Sequence, residues 1–280
     1  MKQYVTLIFV GISFFLLPHI LNAQSKKNVV TVKAHTKTEM AYGHPQTIGE
    51  VKDILENNEA YTALKDLIEN HHVTIVYADN SFLGNNNLKR GDFVVSFNSA
   101  LQTIEEVTKR DSLDTILINT YDRNRAYITS VTQVKDIKPG DIYYNAVQSL
   151  LEQWGINAPF TKAAVLNANS LFYEDELSDI LRVTLGFEYS KGKPGRVPVK
   201  RYRFAILLDE AINLKMQQIE MLANEKRAKA EAEKARVNAI IKQIEQNHRD
   251  SVSKEIELRK IEAQKKEAEA RKLLEDSTKK

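Results

Sequence analysis

Two basic pairs mark where this chain could do chemistry: Lys89-Arg90 within "LKRGDF" (88–93) and Lys200-Arg201 within "VKRYRF" (199–204). A guanidinium offers a planar fork of donors that fits a carboxylate in two parallel hydrogen bonds, and an ammonium adds a compact point charge. Asp92 follows Arg90 by two residues, within reach of a cation in the same turn. Each pair opens a segment with apolar residues three and four apart: Phe93, Phe97, Ala100 and Leu101 in the first, Phe204, Leu208, Ala211 and Ile212 in the second. The spacing predicts helices with their cations in the first turn, where they oppose the helix dipole. A local rule broken at the same place twice points to use of those side chains. The alternative is that they reach into solvent or pair with a carboxylate such as Asp92.

Nothing in the chain assembles a catalytic set. His71 and His72 are adjacent, so on a helix end their side chains diverge and do not by themselves make a metal site. The acids of "YEDELSD" (173–179) fall within a helical pattern, and no feature selects the two converging carboxylates that glycan hydrolysis needs. No nucleophile elbow or phosphate-cradling glycine loop occurs. A net charge of +3 gives no argument for nucleic acid. The expectation is a protein without cofactor or metal.

The elements that must position the basic pairs are duplicated. "VKDI" occurs at Val51–Ile54 and again at Val134–Ile137, 83 residues apart. Each copy leads through turn chemistry, with Asn58 and Asp141 as candidate caps, into an amphipathic helix: Ala60, Ala63, Leu64, Leu67 and Ile68, then Tyr143, Ala146, Val147, Leu150 and Leu151. The two basic pairs are 111 residues apart, so the second copy carries an insertion near 157–198, with helical periodicity of its own through Leu177, Ile180, Leu181 and Leu185. That insertion reads as an extra helix plus loop, with a degenerate third copy of the basic-pair helix as the other option.

The ends differ from this head. A basic start, the apolar run "VTLIFVGISFFLLPHIL" and the small-residue close "LNAQ" read as a secretory signal peptide over 1–23, with an uncleaved membrane anchor as the alternative that Pro18 and His19 disfavour. A polar lead-in follows over 24–46. No later run is apolar enough to span a bilayer, and with no cysteine in the chain there is neither a lipid-anchoring thiol nor a disulfide. From about Leu208 no proline or glycine appears, and Ala, Glu, Lys, Arg and Gln dominate through Lys280, which predicts one long helix. Sparse apolar residues along it, including Ile219, Val237, Ile241, Ile244, Val252, Ile261 and Leu273, suit a coiled-coil stalk, against a solvated single helix or a partly disordered tail.

Taken together, "VKDI…AYTALKDLIE", the loop "YADNSF" (77–82) and "LKRGDF" resemble an S-layer homology motif, and the second copy is similar at "VKDIKPGDIYYNAVQSLLEQWGI" and "VPVKRYRF". The resemblance implies a mainly all-α protein with a compact helical head of repeated helix-loop-helix motifs. The expected organisation is motif 1 over 47–110, a linker over 111–129, motif 2 over 130–212 and a long helix or coiled coil over 213–280. It implies an exported, non-catalytic protein of the periplasm or cell envelope that binds peptidoglycan or an anionic wall polysaccharide. The glycan-gripping role falls on Arg90 and Arg201, with Lys89, Lys200, Asp92 and Tyr77 around them and Trp154, Tyr143 and Tyr144 as further candidate rings. Three departures stand out: two clear motifs rather than three about a pseudo-threefold axis, Lys89 and Lys200 in place of threonine, and Asn80 in place of the loop glycine. Residues 213–280 offer a seam for self-association. The competing reading is a periplasmic adaptor that works mainly through its tail.

Overall fold

The computed structural model describes residues 41–113, 117–121, 128–189 and 194–278, with side-chain surroundings through Arg271. The segment read as a signal peptide, most of the expected lead-in and parts of the expected linker lie outside the described residues. The fold is mainly all-α. Its order is strand β1 (Tyr42–Gly43), a 3-10 turn (Ile48–Glu50), α1 (Tyr61–Glu69), strand β2 (Val76–Tyr77), α2 (Arg90–Arg110), a second 3-10 turn (Val131–Gln133), α3 (Tyr144–Gln148), α4 (Glu174–Ile180) and α5 (Arg201–Thr278). A π turn extends α3 over Ser149–Gln153 and another extends α4 over Leu181–Leu185. The two short strands pair antiparallel, Tyr42 opposite Tyr77. Among the described residues no helix is long and apolar enough to cross a membrane.

The doubled phrase is a doubled set of hydrogen bonds. Asp53 accepts from the backbone N–H groups of Phe82 and Leu83, at 2.6 and 2.7 Å, and Asp136 accepts from Leu166 and Asn167, both at 2.8 Å. The Lys52 N–H donates to Asn80 O, and that of Lys135 donates to Ala164 O. At the end of α1 the Glu69 carboxylate receives the Ile48 N–H, and Glu152 receives that of Val131. Both loops bend through left-handed backbone at the same two places, Asn80 with Leu83 and Ala164 with Asn167. Asparagine tolerates that conformation, which fits Asn80 to a position a glycine could also hold. The caps differ: Asn58 Oδ1 accepts from the Ala60 N–H, whereas Asp141 turns back to accept from Lys138.

The segment read as an insertion is the second half of motif 2. Phe172, in "FYEDEL", stands where Leu88 stands in "LKRGDF", and Val199, in "VKRYRF", occupies a third equivalent place. The proof is a ring of backbone bonds. Leu88 N–H donates to Val199 O, Val199 N–H to Phe172 O, and Phe172 N–H to Leu88 O, at 2.7, 2.9 and 2.9 Å. A second ring runs one step outward: Arg90 N–H to Ser170 O, Glu174 N–H to Val197 O, and Arg201 N–H to Asn86 O. Three extended segments therefore close into a three-way collar from which α2, α4 and α5 emerge. The side chains of Leu88, Phe172 and Val199 fill its buried centre, and Phe93, Leu177 and Phe204 pack one turn further on. Phe93 stacks on Phe172 at 4.1 Å and on Phe97 at 5.0 Å. The head thus holds two full motifs and the second helix of a third.

Helix α5 is both part of this core and the tail. Its first turns pack against α1, α2 and the π turn after α4, burying Ala205, Leu208, Ile212, Ile219 and Ala223. From Asn224 to Arg271 every residue is exposed.

Candidate functional site

The collar dictates what each basic pair does. Alternation along an extended segment turns Leu88 and Val199 inward and leaves Lys89 and Lys200 outside, both exposed. The next residue, the first of each helix, swings its side chain across to the neighbouring motif. Arg90 donates through Nη2 to both oxygens of Glu176, at 2.6 and 2.8 Å, and through Nη1 to Pro159 O at 2.8 Å. Arg201 donates to Phe82 O, Ile75 O and the Tyr77 hydroxyl, and lies 3.0 Å from Asp92 Oδ2. Its guanidinium also stands over the Tyr77 ring, 4.4 Å from the centroid.

This corrects the ligand-gripping role expected of the two arginines. Arg201 keeps only 2% of its surface in contact with solvent, and its donors go to protein acceptors. Arg90 is nearly as enclosed, its side chain 11% exposed against the Glu176 carboxylate. Asp92 is likewise not a ligand contact. It is 3% exposed and takes hydrogen bonds from Tyr42 Oη at 2.7 Å and Tyr77 Oη at 2.8 Å beside Arg201. Burial, reinforced by the Asp92 charge, drives the Tyr42 phenol far above its ordinary pKa. Burial also raises Tyr77, with Arg201 opposing and Asp92 adding to the shift. Both rings stay protonated donors to the carboxylate. Cations in the first helical turn, unfavourable on local grounds, are compensated by acids of the adjacent motif.

Two of the three interfaces follow one rule. The first helical residue pairs with the third of the next helix: Arg90 with Glu176, Arg201 with Asp92. At the remaining interface the first residue is Glu174 and the third is Arg203, so the charges are exchanged. Burial works against the charge on Arg203, yet the bond it donates to Tyr189 Oη at 3.2 Å and the nearby charges of Glu210 and Glu174 hold its pKa above the usual arginine value. The match of "FYEDEL" to "LKRGDF" is legible at an offset of 84 once charge reversal is allowed, and a search for basic pairs alone passes over it.

Two expected site residues do reach solvent together. Lys89 and Tyr77 line a groove of about 520 Å³ with Ser81, Asp79, Asn86 and Asn87. Asn87 is bridged through its backbone to Lys200, which brings the second exposed lysine to the same rim. Tyr173, whose ring carries the Arg196 guanidinium at 4.7 Å, bridges to Pro198 on the neighbouring collar segment. The side-chain amides and ammonium groups can bind a polar chain, with the Asp79 carboxylate, which accepts from Ser81 Oγ at 2.7 Å, as an opposing charge at the groove; no nucleophile–base pair stands among these residues. Of the other candidate rings only Trp154 is buried; Tyr143 and Tyr144 are half-buried, and Tyr143 lines a separate groove of about 760 Å³ with Ile137 and Asn169. Trp154 is buried and directs its N–H toward Asn98, and Tyr143 lies over Gly91 so closely that a Cβ there would meet the ring at 2.4 Å.

A separate polar knot ties α1 to α5. Asp66, His71 and Asp209 converge, and Asn213 sits among them. Its amide N–H groups donate to Asp66 at 2.9 Å and Asp209 at 3.2 Å, and its Oδ1 lies 3.0 Å from His71 Nε2. The amide satisfies all three side chains, so the knot reads as a clasp. Burial first, then the bond and charge of Asp66 and the charge of Glu210, push Asp209 up to about 7. His72, by contrast, is exposed and takes no part.

No protein-family model, no curated protein and no solved structure matches this chain.

Proposed function

We propose that this chain is an exported, non-catalytic cell-envelope protein whose S-layer-homology-like head binds peptidoglycan or an anionic wall polysaccharide, with α5 as a spacer and oligomerisation element. The observation that carries the reading is the exposed Lys89 beside Tyr77 in the amide-lined groove, with Lys200 at its rim, while the neighbouring arginines are spent inside the head. Recognition runs through ammonium groups and side-chain amides rather than through a guanidinium fork. Ammonium contacts at an exposed rim are screened by salt, so binding weakens as ionic strength rises.

The test is co-sedimentation of the mature chain with purified sacculi. Lys89→Ala with Lys200→Ala is expected to cut the bound fraction several-fold, and raising salt from 50 to 300 mM to do the same for the unaltered chain. Equal sedimentation of all forms, or none by any, rejects the reading. A periplasmic adaptor acting through its tail is the second reading, favoured by the exposed aliphatic residues on α5. It requires a truncated tail to abolish partner capture while sacculus binding is absent throughout.

A further inference from the structure

The aliphatic residues of α5 form a pattern that the head does not use. Counting in sevens, Ala205, Ile212 and Ile219 fall on one stripe with Ala223, and all four are buried against the head. Lys226 is the next residue of that stripe, and its ammonium reaches Ser112 O at the head's edge. Beyond it the stripe continues uncovered through Val237, Ile240, Ile244, Leu258 and Ile261, which are 43% to 63% exposed. Between the two aliphatic groups the same stripe carries Asn247, Ser251 and Lys254, and outside them Ala230, Glu233, Lys265 and Ala268.

We infer that the occupant of this seam is a second copy of the chain running antiparallel, centred near Arg249. The statement deepens the self-association in the function proposed above and rests on that part of it. Facing core residues of an antiparallel coiled coil come from opposite kinds of seam position. With Arg249 at the centre the layers become Ala230 with Ala268, Glu233 with Lys265, Val237 with Ile261, Ile240 with Leu258, and Asn247 with Ser251. Apolar meets apolar, acid meets base, and the polar pair is central. Ile244 meets Lys254, whose stem covers it while the ammonium turns outward. At the flanks Lys234 faces Glu262 and Arg227 faces Glu269, against like pairs at Asp250–Asp250 and Lys229–Arg271.

A parallel pair sets each seam residue against itself. It would bring Glu233, Lys254 and Lys265 each onto an identical charge, and its flanks would oppose Asp250 to Glu255 and Glu257 to Glu262. Moving the antiparallel register by one heptad either way sets Ile240 against Lys265 or Ser251, and Leu258 against Asn247 or Glu233. The charge pattern therefore selects both direction and register. Val252 and Ile256 fall outside the seam. The consequence is two heads at opposite ends of a shared rod, so that one dimer can hold two separate points on a wall.

The chain has no cysteine, so single cysteines placed in the full mature chain take one spin label each. Ala235→Cys, Arg249→Cys and Ala263→Cys all lie on the face away from the seam. Separations are read by pulsed dipolar spectroscopy. In the antiparallel pair the Arg249 labels sit opposite each other, whereas Ala235 labels, and Ala263 labels, are ~42 Å apart along the rod at 1.5 Å per residue. An equimolar mixture of Ala235→Cys and Ala263→Cys chains must show a new short distance. Short distances at all three positions mean a parallel pair, and no dipolar coupling at any means a monomer; either overturns the inference. Ile240→Asp with Leu258→Asp is expected to halve the mass by light scattering and to leave Trp154 fluorescence unchanged. Sacculus binding by that monomeric variant tests the head separately, since a lost dimer with retained binding, or the reverse, tells the two proposals apart.

Discussion

Replacing Arg201 by methionine should cripple the head without touching its surface. The guanidinium supplies Phe82 O, Ile75 O and Tyr77 Oη with donors and balances Asp92, whose side chain is 4% exposed. Methionine fills much of the volume and provides none of these. Removing one partner of a buried ion pair costs about 3–5 kcal/mol, because the remaining charge keeps its desolvation penalty. Tyr42 and Tyr77 still donate to Asp92 and soften that penalty, while two carbonyls lose donors at about 1 kcal/mol each. A net loss of roughly 4 kcal/mol is expected, a large part of the 5–15 kcal/mol typical of a domain. Urea unfolding followed by tryptophan fluorescence measures it cleanly, since the single Trp154 is buried in the head and blind to the tail. Adding Asp92→Leu should recover part of the loss by removing the stranded charge. Lys200→Met next door should change stability by no more than about 0.5 kcal/mol. An Arg201→Met loss below about 1 kcal/mol, or a double variant as unstable as the sum of the singles, would refute the internal-pair assignment.

Gly91→Ala pushes a methyl into the Tyr143 ring and should cost about 1–3 kcal/mol in the same unfolding assay; Gly49→Ala, which meets only Thr47 Oγ1 at 3.9 Å, serves as the tolerant control. Asp136→Ala frees the N–H groups of Leu166 and Asn167 and should cost about 1–3 kcal/mol, with faster amide exchange confined to that loop. Asp209 holds its proton more tightly folded than unfolded, so its contribution is full below about pH 4 and is lost as pH rises through about 7. Its partial exposure lets solvent screen the repulsion with Asp66, leaving roughly 1 kcal/mol of pH-dependent stability. The charged and titratable groups facing it are Asp66, Glu210 and His71, so Asp209→Asn should flatten the melting-temperature profile between pH 4 and 8 while Asn213→Ala steepens it.

The helices were legible because their cause is local. The apolar spacing in "YTALKDLIE" and the unbroken Ala-Glu-Lys-Arg tail state their conformation directly, and "VKDI" announced the repeat. What escaped was pairing between motifs. Nothing within "LKRGDF" says that Arg90 will find Glu176, 86 residues away, rather than a ligand or Asp92. At the third interface acid and base exchange places, Glu174 first and Arg203 third, which hid it from any search for like residues. Tyr42 is a similar case: a lone tyrosine before the first motif becomes a buried donor to Asp92 only because β1 pairs with β2. The sequence pattern marked the right neighbourhood, and long-range charge pairing decided which of its residues face inward.

Hydrogen–deuterium exchange of the chain from residue 24 onward, with and without soluble wall-glycan fragments, puts the proposed binding face to the most direct test. Protection should appear at residues 77–89 and at 198–200, disappear in Lys89→Ala with Lys200→Ala, and leave 227–271 unchanged. Protection confined to the tail, or none at any fragment concentration, would contradict a glycan-binding groove on the collar.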